Sequence, residues 1–254
     1  MEVLKPKLGS VTSITMTSPD LARSLQYYES LGFHEVMRFD FPFPWIQITD
    51  DALLIMLRLG KEPYLALTYY VSDIEILVAE LEKEGIIFIE KANPGDMVKR
   101  FLIKSPDGLT ISLVGMFDGF VQPKGANLRN TPPEDFFKPE KYVNKVCGLF
   151  GELAHPVKDL EASIAWWKLL GYLPLSKFTA PYPWAILSDG LGIVGIHQTT
   201  HFDYPVITYF ASDMKEKIHN LKTAGIEGIP DAEIANVTIV TPEKQHINLF
   251  KMGM

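Results

Sequence analysis

Apolar residues return along this chain with two periods that alternate in a fixed order. From Val11 to Thr17 the period is two, with Ile14 and Met16 on one face and Ser13, Thr15 and Thr17 on the other. That alternation predicts a half-buried strand. From Asp20 the period lengthens, and Leu21, Leu25, Tyr28 and Leu31 form a helical stripe. Three strand-like runs follow, at Phe33 to Phe41, Trp45 to Thr49 and Ala52 to Leu59. The same order then repeats: a strand over Leu65 to Val71, a stripe of Ile74, Leu77, Val78 and Leu81, and runs at Ile86 to Ile89, Val98 to Lys104 and Thr110 to Gly115. One helix per set of strands covers one sheet face, so the other face stays open or meets a neighbour.

The repeat is also visible in its punctuation. Asp20 precedes Gly32 by twelve residues, and Asp73–Gly85, Asp159–Gly171 and Asp213–Gly225 keep the same spacing. Aspartate at the N-cap accepts first-turn amides, and glycine just past the end takes a left-handed turn, so four helices of one length are predicted. A shift of 139 lays Tyr27-Tyr28 on Trp166-Trp167, Pro42-Phe43-Pro44-Trp45 on Pro181-Tyr182-Pro183-Trp184, and Asp50 on Asp189, with roughly a third of positions identical between Asp20 and Asp50. The chain is a duplication of a half that is itself duplicated. Residues 117–146 break the pattern with Pro123, Gly125, Pro132, Pro133 and Pro139 among Lys, Glu and Asn, which predicts a linker carrying a helical turn near Glu134 to Phe137. The expected division is a first domain over 7–118, a linker over 119–143 and a second domain over 144–254.

Composition narrows the classes. A chain of 254 residues with 47% hydrophobic content can bury a sizeable core in each of two domains. A net charge of −7 argues against nucleic acid or an anionic membrane as partner. No long apolar run is present, and Met1 to Pro6 lacks the core of a secretory signal, so a cytoplasmic location is expected. The one cysteine, Cys147, fits a reducing compartment and is read as an ordinary linker or strand residue. No phosphate loop, Cys-x-x-Cys or nucleophile elbow appears.

Four tandem strand-helix-strand-strand-strand units with a Pro106-Asp107-Gly108 turn resemble the vicinal oxygen chelate superfamily, which includes glyoxalase I, extradiol dioxygenases and bleomycin-resistance proteins. The likeness is carried by Asp20-Leu21-Ala22-Arg23-Ser24 with Leu31-Gly32-Phe33, and by Asp159-Leu160-Glu161-Ala162-Ser163 with Leu170-Gly171-Tyr172. Further matches are Val71-Ser72-Asp73, Ser212-Asp213 and Gly195-Ile196-His197-Gln198, the last in the manner of the bleomycin-resistance branch. The resemblance implies an α+β fold of two tandem glyoxalase-like domains, each with a cup-shaped mixed sheet. It also implies metal ligands on the first and last strands of the units. Those positions fall on Ser13, Ala66 and Ser112 in the first half, which cannot hold a divalent metal together, and on Glu152, Val206 and Asn248 in the second.

Glu152 and His197 therefore stand as the candidate catalytic pair, or as a reduced metal site in the second domain only, beside the plainer reading of Glu152 as a structural partner. Arg58, at the register of His197 in the first half, is either an anion clamp with Ser13, Thr15 and Ser112 as hydroxyl donors or a solvated strand-end arginine. Trp45 and Trp184 are candidate walls of a ligand pocket, equally able to fill a core, while His246 shares parity with Asn248. His155 falls on the other strand face and reads as structural; Tyr27-Tyr28 and Trp166-Trp167 read as packing. The expected function is a glyoxalase- or bleomycin-resistance-like protein that binds a small organic molecule without the full metal site. The alternative is a metal-dependent lyase, isomerase or dioxygenase acting on a carbonyl or vicinal-oxygen substrate through Glu152 and His197. The expected partner is a small-molecule ligand, with a homodimer left open.

Overall fold

The computed structural model describes residues 6–116, 143–230 and 236–252. The linker and the helical turn expected near Glu134 lie outside the described residues. The first module runs β1 (Val11–Ser18), α1 (Leu21–Ser30), β2 (His34–Phe39), β3 (Trp45–Thr49) and β4 (Leu54–Leu59). The second runs β5 (Leu65–Val71), α2 (Ile74–Lys83), β6 (Phe88–Glu90), β7 (Arg100–Lys104) and β8 (Thr110–Gly115). After the short β9 (Val143–Asn144), the third comprises β10 (Gly148–Pro156), α3 (Leu160–Leu169), β11 (Leu173–Phe178), β12 (Trp184–Ser188) and β13 (Ile193–His197). The fourth shows β14 (Val206–Ala211), α4 (Met214–Thr223), β15 (Asn236–Val240) and β16 (His246–Lys251) among the described residues.

The four helices begin and end as their punctuation predicts, with one exception. The carboxylates of Asp20, Asp159 and Asp213 accept from the amides of Arg23, Ala162 and Glu216, whereas Asp73 makes no side-chain cap bond. All four closing glycines are left-handed, with φ between 79° and 89°.

Each sequence half builds one mixed sheet, in the orders β2-β3-β4-β1-β5-β8-β7-β6 and β11-β12-β13-β10-β14-β16-β15, with β9 on β10. The β5–β8 and β14–β16 pairs are parallel and the flanking pairs antiparallel. β1 departs from expectation, because all eight of its residues are buried rather than alternate ones. It is an interior strand, and the long side chains of β4 cover its polar face: Thr15 Oγ1 lies 3.9 Å from Met56 Sδ, and Arg58 Nε lies 3.4 Å from Thr17 Oγ1.

Compactness follows a different division from the sheets. One unit gathers residues 6–14, 65–116 and 155–204, and the other 15–64, 143–154, 205–230 and 236–252. In the first unit, Trp167, Leu170, Tyr172, Leu81, Ile111 and Val194 form a dry core, with the Trp167 and Tyr172 rings 4.7 Å apart. In the second, Tyr28, Leu31, Ile46, Leu57, Leu221 and Leu249 do the same, and Tyr28 meets Phe33 at 5.4 Å in the equivalent edge contact. Among the described residues no helix is long and apolar enough to cross a membrane.

Candidate functional site

The second unit carries a polar row across its sheet. β10 bulges between Phe150 and Glu152, at Gly151. A Cβ on Gly151 would stand 2.3 Å from the Phe210 ring, so only glycine lets that ring lie over the strand. Past the bulge, Glu152 faces Thr208, Thr208 neighbours Asn248, and Asn248 faces Thr238. Residues in register on paired strands share a face, so the four side chains form one line. Glu152 and Thr208 are each 2% exposed, Asn248 is half-buried and Thr238 is exposed, so the line runs from the interior toward water. The Thr238 hydroxyl donates to Asn248 Oδ1 at 2.7 Å, which fixes the amide.

The flanks of this row differ in character. Phe210 and Phe250, side by side with centroids 6.5 Å apart, border it on one side. His246, two residues before Asn248 and opposite Val240, shares its strand face on the other side. A buried carboxylate, a hydroxyl and an amide in one line, edged by two rings, present hydrogen-bonding groups to a small molecule whose body is apolar. Among them Glu152 is the group able to accept a proton.

The first unit brings Trp184 and His197 together. They face each other across β12–β13, with ring planes 6° apart and centroids at 5.1 Å. Phe178, opposite Trp184 on β11, continues the stack at 4.1 Å and 16°. Tyr182 and Phe202 close on the imidazole edge-on at 5.8 and 5.7 Å, leaving His197 8% exposed. Of these rings, Phe202 carries no signal in the sequence pattern, Tyr182 belongs to the Pro-aromatic-Pro turn, and Phe178 is marked by its twin, Phe39, at the same shift of 139. In the other unit the twin row is Phe39–Trp45–Arg58, where Phe39 tilts against Trp45 at 5.1 Å. Arg58 is half-buried, with its guanidinium 4.0 Å above the Tyr64 ring, so it is held within its own unit by a cation–π contact.

In the first unit Ser13 and Ser112 are each 2% exposed, and Ser112 sits beside Thr68 in register. The Ser13 hydroxyl makes no hydrogen bond, while Thr12 Oγ1 donates to the Thr68 carbonyl at 3.0 Å. His155 is buried with neither ring nitrogen hydrogen-bonded. Burial lowers its pKa to about 4, against the opposing pull of Asp107, so the ring is neutral at pH 7. The thiol of Cys147 is likewise buried and its pKa is pushed up, which makes it unreactive.

The metal implied by the resemblance does not fit these residues. A non-haem iron site takes two histidines and a carboxylate. The corresponding positions hold Glu152, Val206 and Asn248 in one sheet and Ser13, Ala66 and Ser112 in the other. Among the described residues no group of three or more His, Cys, Asp or Glu is placed to hold a metal ion.

No family model and no curated protein sequence matches the chain. Solved structures do. The 2,3-dioxygenase LapB from Pseudomonas sp. KL28 is 12% identical with a TM-score of 0.61, over 97% of this chain and 94% of that one. A variant of homoprotocatechuate 2,3-dioxygenase from Brevibacterium fuscum is 12% identical with a TM-score of 0.62, over 96% of this chain and 72% of that one. A catechol 2,3-dioxygenase is 13% identical with a TM-score of 0.58, over 95% and 92%. The fold is therefore that of these 2,3-dioxygenases, built as two tandem glyoxalase-like mixed sheets.

Proposed function

We propose that this chain is an enzyme of the extradiol-dioxygenase fold that acts on a small vicinal-oxygen or carbonyl compound without that group's iron. The observation that carries it is the buried Glu152 carboxylate at the head of the Glu152–Thr208–Asn248 row. The whole-chain likeness to ring-cleaving dioxygenases favours an enzyme over a protein that only sequesters its ligand. In this reading Glu152 accepts a proton from a ligand hydroxyl or from the carbon beside a carbonyl, Thr208 and Asn248 orient the oxygens, and the Phe210 and Phe250 rings flank the ligand body. Pairing Glu152 with His197 joins residues of the two compact units, so the reading rests on Glu152 alone.

A second reading, a metal-free binding protein, is favoured by the lack of a three-ligand set among the described residues. Metal analysis, oxygen uptake and thermal melts of the purified protein with catechol test the row and its lack of iron. Conversion of vicinal-oxygen or carbonyl compounds to product, lost in Glu152→Gln, separates the enzyme from the binding protein. The proposal expects less than stoichiometric iron, no oxygen uptake, and a rise in melting temperature with catechol that Glu152→Gln removes. Stoichiometric iron with oxygen uptake contradicts it. Stabilisation by catechol that survives in Glu152→Gln moves the ligand away from the row.

A further inference from the structure

Helix α4 holds a lysine where α2 holds a leucine and where α1 and α3 hold the buried serines Ser24 and Ser163. Its core-facing positions are Met214, Lys217, Ile218 and Leu221, and the matching positions of α2 are Ile74, Leu77, Val78 and Leu81. Lys217 is 7% exposed. An ammonium has three protons to donate, and burying it without acceptors is costly. Lys217 Nζ donates to one carbonyl, that of Lys145, at 2.9 Å, and the largely exposed Glu216 carboxylate stands 3.8 Å away. Asn220 Nδ2 donates to the same carbonyl at 3.0 Å, so two strong donor groups converge on one acceptor. Beside them opens a cavity of about 810 Å³, with Leu149, Phe210 and Met252 supplying apolar wall.

Leucine at the equivalent of Lys217 completes the same helix face in α2, so packing does not require the charge. Surplus donors in a largely apolar hollow ask for an oxyanion on an apolar body. We propose that this cavity binds a small monocarboxylate with an aliphatic or aromatic tail, the carboxylate paired to Lys217 and bonded by Asn220, the tail against Leu149, Phe210 and Met252. The site is separate from the Glu152 row, although Phe210 borders both.

The test is an amide NMR titration of the full chain with sodium hexanoate and with neutral hexanamide. Hexanoate is expected to shift the amides of Lys145, Gly148, Lys217 and Asn220 saturably, and to bind at least tenfold tighter than hexanamide. Lys217→Met should bring hexanoate down to the hexanamide level, Lys222→Met on the exposed face of the helix should leave it unchanged, and Glu152→Gln should have no effect. Equal binding of acid and amide, shifts confined to residues away from the cavity, no shifts at all, or wild-type affinity in Lys217→Met would each overturn the proposal. If Lys217→Met does not fold, the acid-to-amide ratio on the native chain decides.

Discussion

The two compact units place a buried aspartate at the same point and satisfy it differently. In the first, Asp189 accepts from the Leu191 and Gly192 amides through Oδ1 and from the Tyr69 hydroxyl at 2.7 Å through Oδ2, and Tyr69 is in turn hydrogen-bonded to Tyr172. In the second, Asp50 accepts from the Ala52 and Leu53 amides and from the Tyr209 hydroxyl at 2.7 Å, but Phe33 stands in the place of Tyr172. Asn144 adds a fourth donor to Asp50 at 3.1 Å. The turn joining the two strands of each last pair, β7–β8 and β15–β16, also holds a carboxylate acceptor. Asp107 accepts from Ser163 at 3.0 Å in one unit, and Glu243 accepts from Ser24, the residue 139 positions earlier, in the other. Duplication kept a carboxylate acceptor at each place, with a changed donor set around the aspartate of the β3–β4 and β12–β13 turns and the same serine donor at the later turn. What is retained is the satisfaction of a buried charge, because leaving it unmet costs more than any one way of meeting it.

The comparison can be broken or sharpened in order of effect. Asp50→Ala strands four donors and is expected to cost roughly 4 kcal/mol in denaturant unfolding, somewhat more than Asp189→Ala, which strands three. A smaller loss for Asp50 would mean that water replaces it. Asn144→Ala should cost about 2–3 kcal/mol, since that side chain also accepts from the Val146 and Cys147 amides and donates to the Leu31 carbonyl.

His155 tests the asymmetry through pH. Its folded pKa, about 4, lies below the ordinary 6.5, so the unfolded chain binds the extra proton between these values. Its contribution is complete above 6.5 and is lost as pH falls toward 4, which amounts to about 2 kcal/mol between pH 7 and pH 5. His155→Met, which restores the residue of the first half, should abolish that difference, while the opposite trend from the raised Asp50 and Asp189 pKa values persists. Tyr172→Phe should cost about 1 kcal/mol, because it removes the hydrogen bond to Tyr69 while Asp189 keeps all three of its donors. The smallest effect is a gain. Lys244 holds φ 63° where its counterpart Gly108 holds 100°, and Lys244→Gly should raise stability by up to about 1 kcal/mol.

Much of the fold was legible in the sequence. The strand and helix periods, the Asp-to-Gly spacing and the shift of 139 anticipate the modules and their caps, since periodicity and capping act within a few residues. The bonds of Tyr209 to Asp50 and of Ser24 to Glu243 were not legible, because they join modules far apart in the chain and reflect no local pattern. Full burial of β1 was missed for a similar reason, since its polar face is covered by side chains from β4. In the site, Glu152 stood out as a charge on an apolar strand. Thr208 as its neighbour depends on the bulge at Gly151, which shifts the register by one residue in a way no alternation reveals.

Diffraction from crystals soaked with catechol examines the Glu152 row most directly. The account predicts density for the ring beside Phe210 and Phe250, its oxygens within hydrogen-bond distance of Glu152 and Thr208, and no metal held by three side chains. A row left empty while catechol sits elsewhere, or a metal ion bridging the ligand to the protein, would contradict it.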